Sequence, residues 1–312
     1  MQISIVTTMY RSAPYINEFY SRITETVKKI TSSYEIIFVN DGSSDNSLEI
    51  AKRLFEKDKK IKIIDLSRNF GHHKAIMAGL SYTKGEYVFL TDCDLEDEPE
   101  LLIDFWNEMK TDKSTYVVFG YQENRKGNIF KKISGNIFYS IFNSMSDVSI
   151  HKNPLTIRLM KKKYVDALIM FKESDLYLAG LMELAGFKQK GLAVNRIPKK
   201  GTVYTLKKRI GQLITSITSF SSYPLKLIFY IGFTISIISF IFAIYIFVRK
   251  LMYNSIVSGW TSVMVSLWFT SGILMMFLGI IGFYLAKIYI QVKNRPLSII
   301  KEIYSMDKKN AK

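Results

Sequence analysis

A second cysteine is missing from the 312 residues. Cys93 stands alone, so no internal disulfide is available, which implies a reducing compartment or indifference to redox. A basic leader running into an apolar core is missing too. The opening MQISIVTTMY reads as a strand and not as a signal peptide. Acidic charge is scarce, with 27 Asp and Glu against 43 Lys and Arg, for a formal net charge of +16. Such an excess points to nucleic acid, anionic lipid or a phosphorylated ligand. No aromatic RNA-reading motif is present and the basic residues crowd the flanks of two apolar runs, so nucleic acid is the weakest of the three. The length allows one sizeable domain and an appendage.

Long apolar runs are present only in the last third. Ile228 to Val248 carries no charge, and as a helix it extends about 31 Å, enough to cross a bilayer core. A second uncharged run covers Met252 to Ala286 and is densest from Val263 to Leu285, with Trp260 and Trp268 toward its start. Two membrane helices are predicted, against the alternative of buried helices in a soluble core. Lys199, Lys200, Lys207, Lys208, Arg209 and Lys226 precede the first run, and Lys287, Lys293, Arg295 and Lys301 follow the second. Only Arg249 and Lys250 lie between them. The positive-inside rule then puts both termini in the cytoplasm, with a short external loop near Tyr253–Gly259. The basic flanks would attract anionic membrane lipids.

The first 120 residues alternate between apolar runs and amphipathic segments. Strands are predicted at Ile3–Thr8, Tyr34–Asp41, Ile61–Ser67 and Glu86–Asp92. Helices are predicted at Ala13–Ile30, Leu48–Lys57 and Lys74–Thr83, the second capped by Ser44 or Asp45. This is an α/β pattern with a mostly parallel sheet covered on both faces. Ligands of such sheets bind beyond the carboxyl ends of the strands, where Thr8, Asp41, Ser67 and Asp92 fall. Asp92 and Asp94 sit two apart after a buried run, so both point one way while Cys93 faces the other. Two carboxylates so placed suit Mg2+ or Mn2+ shared with a phosphorylated ligand; a solvated acidic turn is the plainer alternative. His72 and His73 lack a full ligand set, and hydrogen bonding to backbone or substrate is favoured over metal binding.

Taken in order, SIVTTMY, YEIIFVNDGSSDNSLEIA, IIDLSRNFGHHKAIMAGLSYTKGEYVFLTDCDLEDEPELL, GTVYTLKKRI and the two apolar runs resemble the family 2 glycosyltransferases of GT-A fold. The branch is that of the polyprenyl-phosphate glycosyltransferases, similar to dolichyl-phosphate mannose synthase and the bacterial prenyl-phosphate glucosyltransferases. The resemblance implies a nucleotide pocket at Thr8, Tyr10, Asp41 and Arg68, with Asn69 helping to shape it. It implies metal and diphosphate at Asp92 and Asp94, with Glu96 beside them where the family commonly has glutamine. Arg158 matches an arginine near the reacting phosphates. Gly201, Thr202 and Tyr204 match a loop closing over the donor, and Lys207, Lys208 and Arg209 follow where a lipid phosphate or plain headgroups would lie.

Three departures stand out: Tyr10-Arg11-Ser12 after the first strand, Glu96, and Thr156 where family members often carry an aspartate. The implied organisation is a cytoplasmic catalytic domain over 1–204, a basic juxtamembrane amphipathic segment over 205–223, a two-helix hairpin over 224–290 and a basic cytoplasmic tail over 291–312. The implied activity is metal-dependent, inverting transfer of a sugar from a nucleotide-diphosphate sugar to a polyprenyl phosphate. It would occur at the cytoplasmic face of the inner (plasma) membrane and supply a lipid-linked sugar for cell-surface glycan modification. Two alternatives stay open: a transferase for another lipid or polysaccharide acceptor, and a nucleotide-sugar-binding protein without chemistry. The oligomeric state, a homo-oligomer included, is not determined by sequence.

Overall fold

The computed structural model describes residues 1–122, 151, 153–173, 177–195, 221, 223–253 and 259–306. Among these, β1 (Ile3–Met9), β2 (Tyr34–Asn40), β3 (Ile61–Leu66) and β4 (Tyr87–Leu90) run parallel, in the spatial order β4-β1-β2-β3. Their continuous Ile and Val runs are explained by burial on both faces. Helix α3 (His72–Leu80) packs Ala75 and Ile76 against Val6, Val39 and Leu90 on one face. On the other, α1 (Ile16–Lys28) and α4 (Leu101–Thr111) bring Phe19, Ile23 and Phe105 against Ile5, Phe38 and Phe89. Helix α2 (Ser47–Lys57) adds Ala51 to that second cluster.

Beyond β4 the sheet becomes mixed. β6 (Pro154–Lys161) runs antiparallel to both β4 and β5 (Val117–Tyr121), and β7 (Gln189–Ala193) closes that edge parallel to β5. Short helices α5 (Lys162–Leu168) and α6 (Leu178–Leu184) pack Tyr164, Leu181 and Met182 into the α3 face. This is the expected α/β architecture of GT-A type. The opposite edge holds a surprise: β8 (Ile300–Tyr304), from the stretch read as a basic tail, pairs antiparallel with β3.

Helices α7 (Tyr223–Tyr253) and α8 (Trp260–Val292) contain the two candidate spans, Tyr223–Phe242 and Ser266–Val292. Neither span is buried inside the protein, and Phe229, Phe240, Trp268 and Met275 are exposed. They are therefore not core helices of the sheet domain. The C-terminal end of α8 touches that domain, where Gln291 Nε2 donates to the Lys172 carbonyl at 3.1 Å.

Two local expectations change. α3 begins at His72, so the histidines belong to its first turn and not to a loop. α2 is entered at Asn46, whose side chain makes no capping bond; Asp45, one residue earlier, instead accepts the Ser47 N–H at 3.1 Å from outside the N-cap position.

Candidate functional site

The carboxyl ends of β1, β2 and β4 lie side by side, where parallel sheets of this kind form their ligand crevice, and three loops are tied together there. Asp45 is the knot: its Oδ1 accepts from the hydroxyls of Ser43 and Ser47, and its Oδ2 accepts from the Ala13 N–H at 3.1 Å. Burial opposes its ionisation, but hydrogen bonds from Ser43, Ser47 and Ala13 outweigh it and bring the pKa to about 2. The Arg11 N–H donates to Ser43 Oγ at 2.7 Å, and the Ser12 N–H to Ser47 Oγ at 3.0 Å. The β1–α1 and β2–α2 loops thus hold one another. Tyr10 is left exposed at the rim, with the Arg11 guanidinium 5.5 Å from its ring.

Asp41 has a structural task the sequence reading did not assign. It is buried, and its two oxygens accept the N–H groups of Phe70 at 2.7 Å and Gly71 at 3.0 Å. The carboxylate therefore fixes the β3–α3 segment against the end of β2. Gly42 follows at φ +60°, and a Cβ there would stand 2.4 Å from the Asn69 nitrogen. Only glycine fits such a close backbone approach. Arg68 lies at the surface of this segment, its guanidinium 4.2 Å from the centre of the Phe70 ring.

Thr8 and Asp92 meet through His72, which sequence reasoning placed nearby without linking them. His72 Nδ1 is 3.1 Å from Thr8 Oγ1, and Nε2 is 3.6 Å from Asp92 Oδ1. The contact spans three separate elements and left no local signal. The alternation at 92–94 is as expected: Cys93 is buried in the core, its thiol donating to the Thr8 carbonyl, while Asp92 and Asp94 are half-buried. Burial, reinforced by the charges of Asp92 and Asp94, pushes the Cys93 thiol up to about 12. Asp94 Oδ1 accepts the Glu96 N–H at 3.1 Å across a turn in which Leu95 takes φ +60°.

Among the described residues no three His, Cys, Asp or Glu side chains converge to hold an ion by themselves. Glu96 is thus not gathered with Asp92 and Asp94 into a ready three-ligand set. Two half-buried carboxylates at a strand end nonetheless fit Mg2+ or Mn2+, which take one or two protein carboxylates and complete their shell with phosphate oxygens and water.

Arg158 lies opposite Leu90 in the β4–β6 register, two residues short of Asp92. It does not reach into the crevice as a free cation. The guanidinium is buried, with Nε donating to the Thr156 carbonyl at 3.1 Å and an Nη to the Leu155 carbonyl at 2.9 Å. Burial draws its pKa below the usual guanidinium value, partly countered by Tyr164 and Glu183. The Glu183 carboxyl is raised by burial and drawn back by Arg158 and His151. Thr202, Tyr204, Lys207, Lys208 and Arg209 lie outside the described residues.

A sequence model described as Glycosyl transferase family 2 matches residues 4–169. A Mycobacterium tuberculosis protein named among glycosyltransferases is 42% identical over 98% of this chain and 90% of its own length. The Bacillus subtilis glycosyltransferase YkcC is 37% identical over 99% of this chain and 96% of its own. The SfII prophage-derived bactoprenol glucosyl transferase of Shigella flexneri is 29% identical over 97% of this chain and 98% of its own.

Proposed function

The chain belongs to glycosyl transferase family 2, and from that membership we propose that it transfers a sugar from a nucleoside-diphosphate donor to a polyprenyl phosphate at a membrane surface. The observation that carries this reading is the half-buried pair Asp92 and Asp94, at the strand end where β1, β2 and β4 converge. Tyr10 at the rim offers a face for the base to stack on, and Thr8, Asp41 and Arg68 wall the pocket. Asp92 and Asp94, with Glu96 nearby in the same turn, would hold a divalent cation beside the donor diphosphate. That cation, Mg2+ or Mn2+, would offset the charge gathering on the departing nucleoside diphosphate. On the family resemblance, Thr202 and Tyr204 would serve the donor, and Lys207, Lys208 and Arg209 the acceptor phosphate.

Arg158 serves this site as a buried positive charge beneath the end of β4, and not as a direct phosphate clamp. A phosphate acceptor relaxes the need for a general base. The second pKa of a phosphate monoester lies at roughly 6, so at neutral pH the nucleophilic oxygen is already charged. Direct attack inverts the anomeric carbon, and an α-linked donor would give a β-linked lipid product. The polyprenyl acceptor draws support from the bactoprenol glucosyl transferase name carried by relatives at 29% identity over nearly the whole chain. Two long exposed apolar helices would hold the crevice at headgroup level. β8 follows the second of them yet joins the sheet that precedes the first. That return supports two crossings with both flanks on one side of the membrane, and the basic flanks favour the cytoplasmic side of the inner (plasma) membrane.

The test is purified protein in detergent, given radiolabelled nucleotide sugars and undecaprenyl phosphate. Organic-extractable label is expected, and Asp94→Asn should abolish it while leaving the fold intact. Label appearing only in a non-lipid acceptor, or an Asp94→Asn variant of normal activity under chelation, would overturn this reading.

A further inference from the structure

β8 lies along β3 with Ile63 opposite Tyr304, Ile64 opposite Ile303, Asp65 opposite Glu302 and Leu66 opposite Ile300. Where that ladder ends, the Ser67 N–H donates to the Ile299 carbonyl at 2.9 Å. Ser67 opens the segment that carries Arg68 and Asn69 against Gly42, and then Phe70 and Gly71 onto Asp41. Within the ladder, buried Asp65 accepts from Asn40 Nδ2 at 2.7 Å, with Lys301 Nζ 4.0 Å from its other oxygen. Asn40 in turn accepts the Ser43 N–H at 3.2 Å. The β3–α3 segment is therefore one hydrogen bond from the β8 stretch, and the β2–α2 loop is reached from it through three contacts, by way of Asp65 and Asn40. The far end of the same chain stretch is anchored as well, since α8 docks through Gln291 on Lys172.

We infer that β8 is a positioning element for the nucleotide pocket, coupling the chain beyond the second apolar helix to donor binding. The inference rests on the donor-pocket reading above, although no residue of β8 belongs to that pocket. Without β8, β3 becomes an edge strand with an unpaired row of backbone groups. The Ser67–Gly71 segment then loses the restraint at its first residue and opens locally at lower cost. A ligand that needs the segment closed must bind more weakly, and by reciprocity must itself strengthen the docking of β8.

The experiment compares the full chain with a truncation after Pro296, both in detergent, using UDP and GDP as calorimetric probes. Affinity for whichever probe binds the full chain should fall by about fivefold or more on truncation. KM for the donor should rise with it, while kcat and the acceptor KM hold. Amides of Phe70 and Gly71 should exchange faster, with those of β1 and β4 unchanged. A peptide covering residues 297–306, added in trans, should restore affinity and protection together. Ile303→Pro in the full chain should reproduce the pattern if the truncated protein fails to fold, because proline removes a ladder donor. Bound nucleotide should slow exchange across Ile300–Tyr304. Unchanged affinity with unchanged exchange at Phe70 and Gly71 would overturn the inference, as would loosening that spreads evenly to β1 and β4. If neither probe binds the full chain, the donor reading fails, and exchange at Phe70 and Gly71 alone decides whether β8 holds the segment.

Discussion

Gly42 and Asp45 show how the crevice depends on single residues. At Gly42 both the positive φ and the 2.4 Å approach to the Asn69 nitrogen exclude a side chain, and the obstacle is backbone that cannot swing aside. Gly42→Ala should cost about 1–3 kcal/mol of stability and weaken nucleotide binding, measured by thermal unfolding and UDP titration. Asp45 supplies a prediction with a sign. Its folded pKa, about 2, lies below the ordinary carboxylate value, so its contribution to stability is complete above about pH 4. That contribution is lost as pH falls through the folded value. Asp45→Asn should therefore flatten the acid limb of stability between about pH 4 and pH 2, read by denaturant titration at each pH. At this scale the sequence was partly legible. Asp92 and Asp94 announced themselves by following a buried run, a local pattern. The bridge from Thr8 to His72 to Asp92 did not, because its two legs join residues 64 and 20 positions apart.

Among the elements, β1 to β4 were readable because strands covered on both faces have no polar alternation to obscure them. β5, β6 and β7 were not assigned in advance, although the apolar residues of β5 and β6 fill the same core. β8 was hidden by composition: IKEIY is five residues long, half open to solvent, and flanked by lysines that read as a tail. β6 explains why Thr156 need not be an aspartate for the local structure to hold. What Arg158 takes from Thr156 is its backbone carbonyl, which any residue provides. Thr156→Ala should keep transfer within about twofold, whereas Arg158→Ala should lower it by about a hundredfold or more. The second variant also leaves two carbonyls without their donor, so its thermal midpoint should fall as well. Steady-state rates with unfolding curves test the pair. Equal losses in both variants would mean that the Thr156 side chain has a task of its own.

For the whole molecule, the hairpin makes a topological claim that labelling can check. Met252 lies near the far end of α7, exposed, and a cysteine there should react with an impermeant thiol reagent in intact cells. Native Cys93 should stay silent, since its thiol is buried and held protonated. Labelling confined to a cysteine placed at Ser305, on the β8 side, would reverse the orientation. The position of β8 also dictates an order of manufacture. The ribosome makes β3 early and its neighbour only after both apolar helices. Throughout that interval the edge of β3 is open, and a chain that stops within the hairpin never covers it. Incomplete products would thus carry a sticky sheet edge and a loosened crevice. On the membrane reading proposed above, the chain would become fully competent only once both apolar helices have been made, and assembly in the bilayer would serve as its own checkpoint.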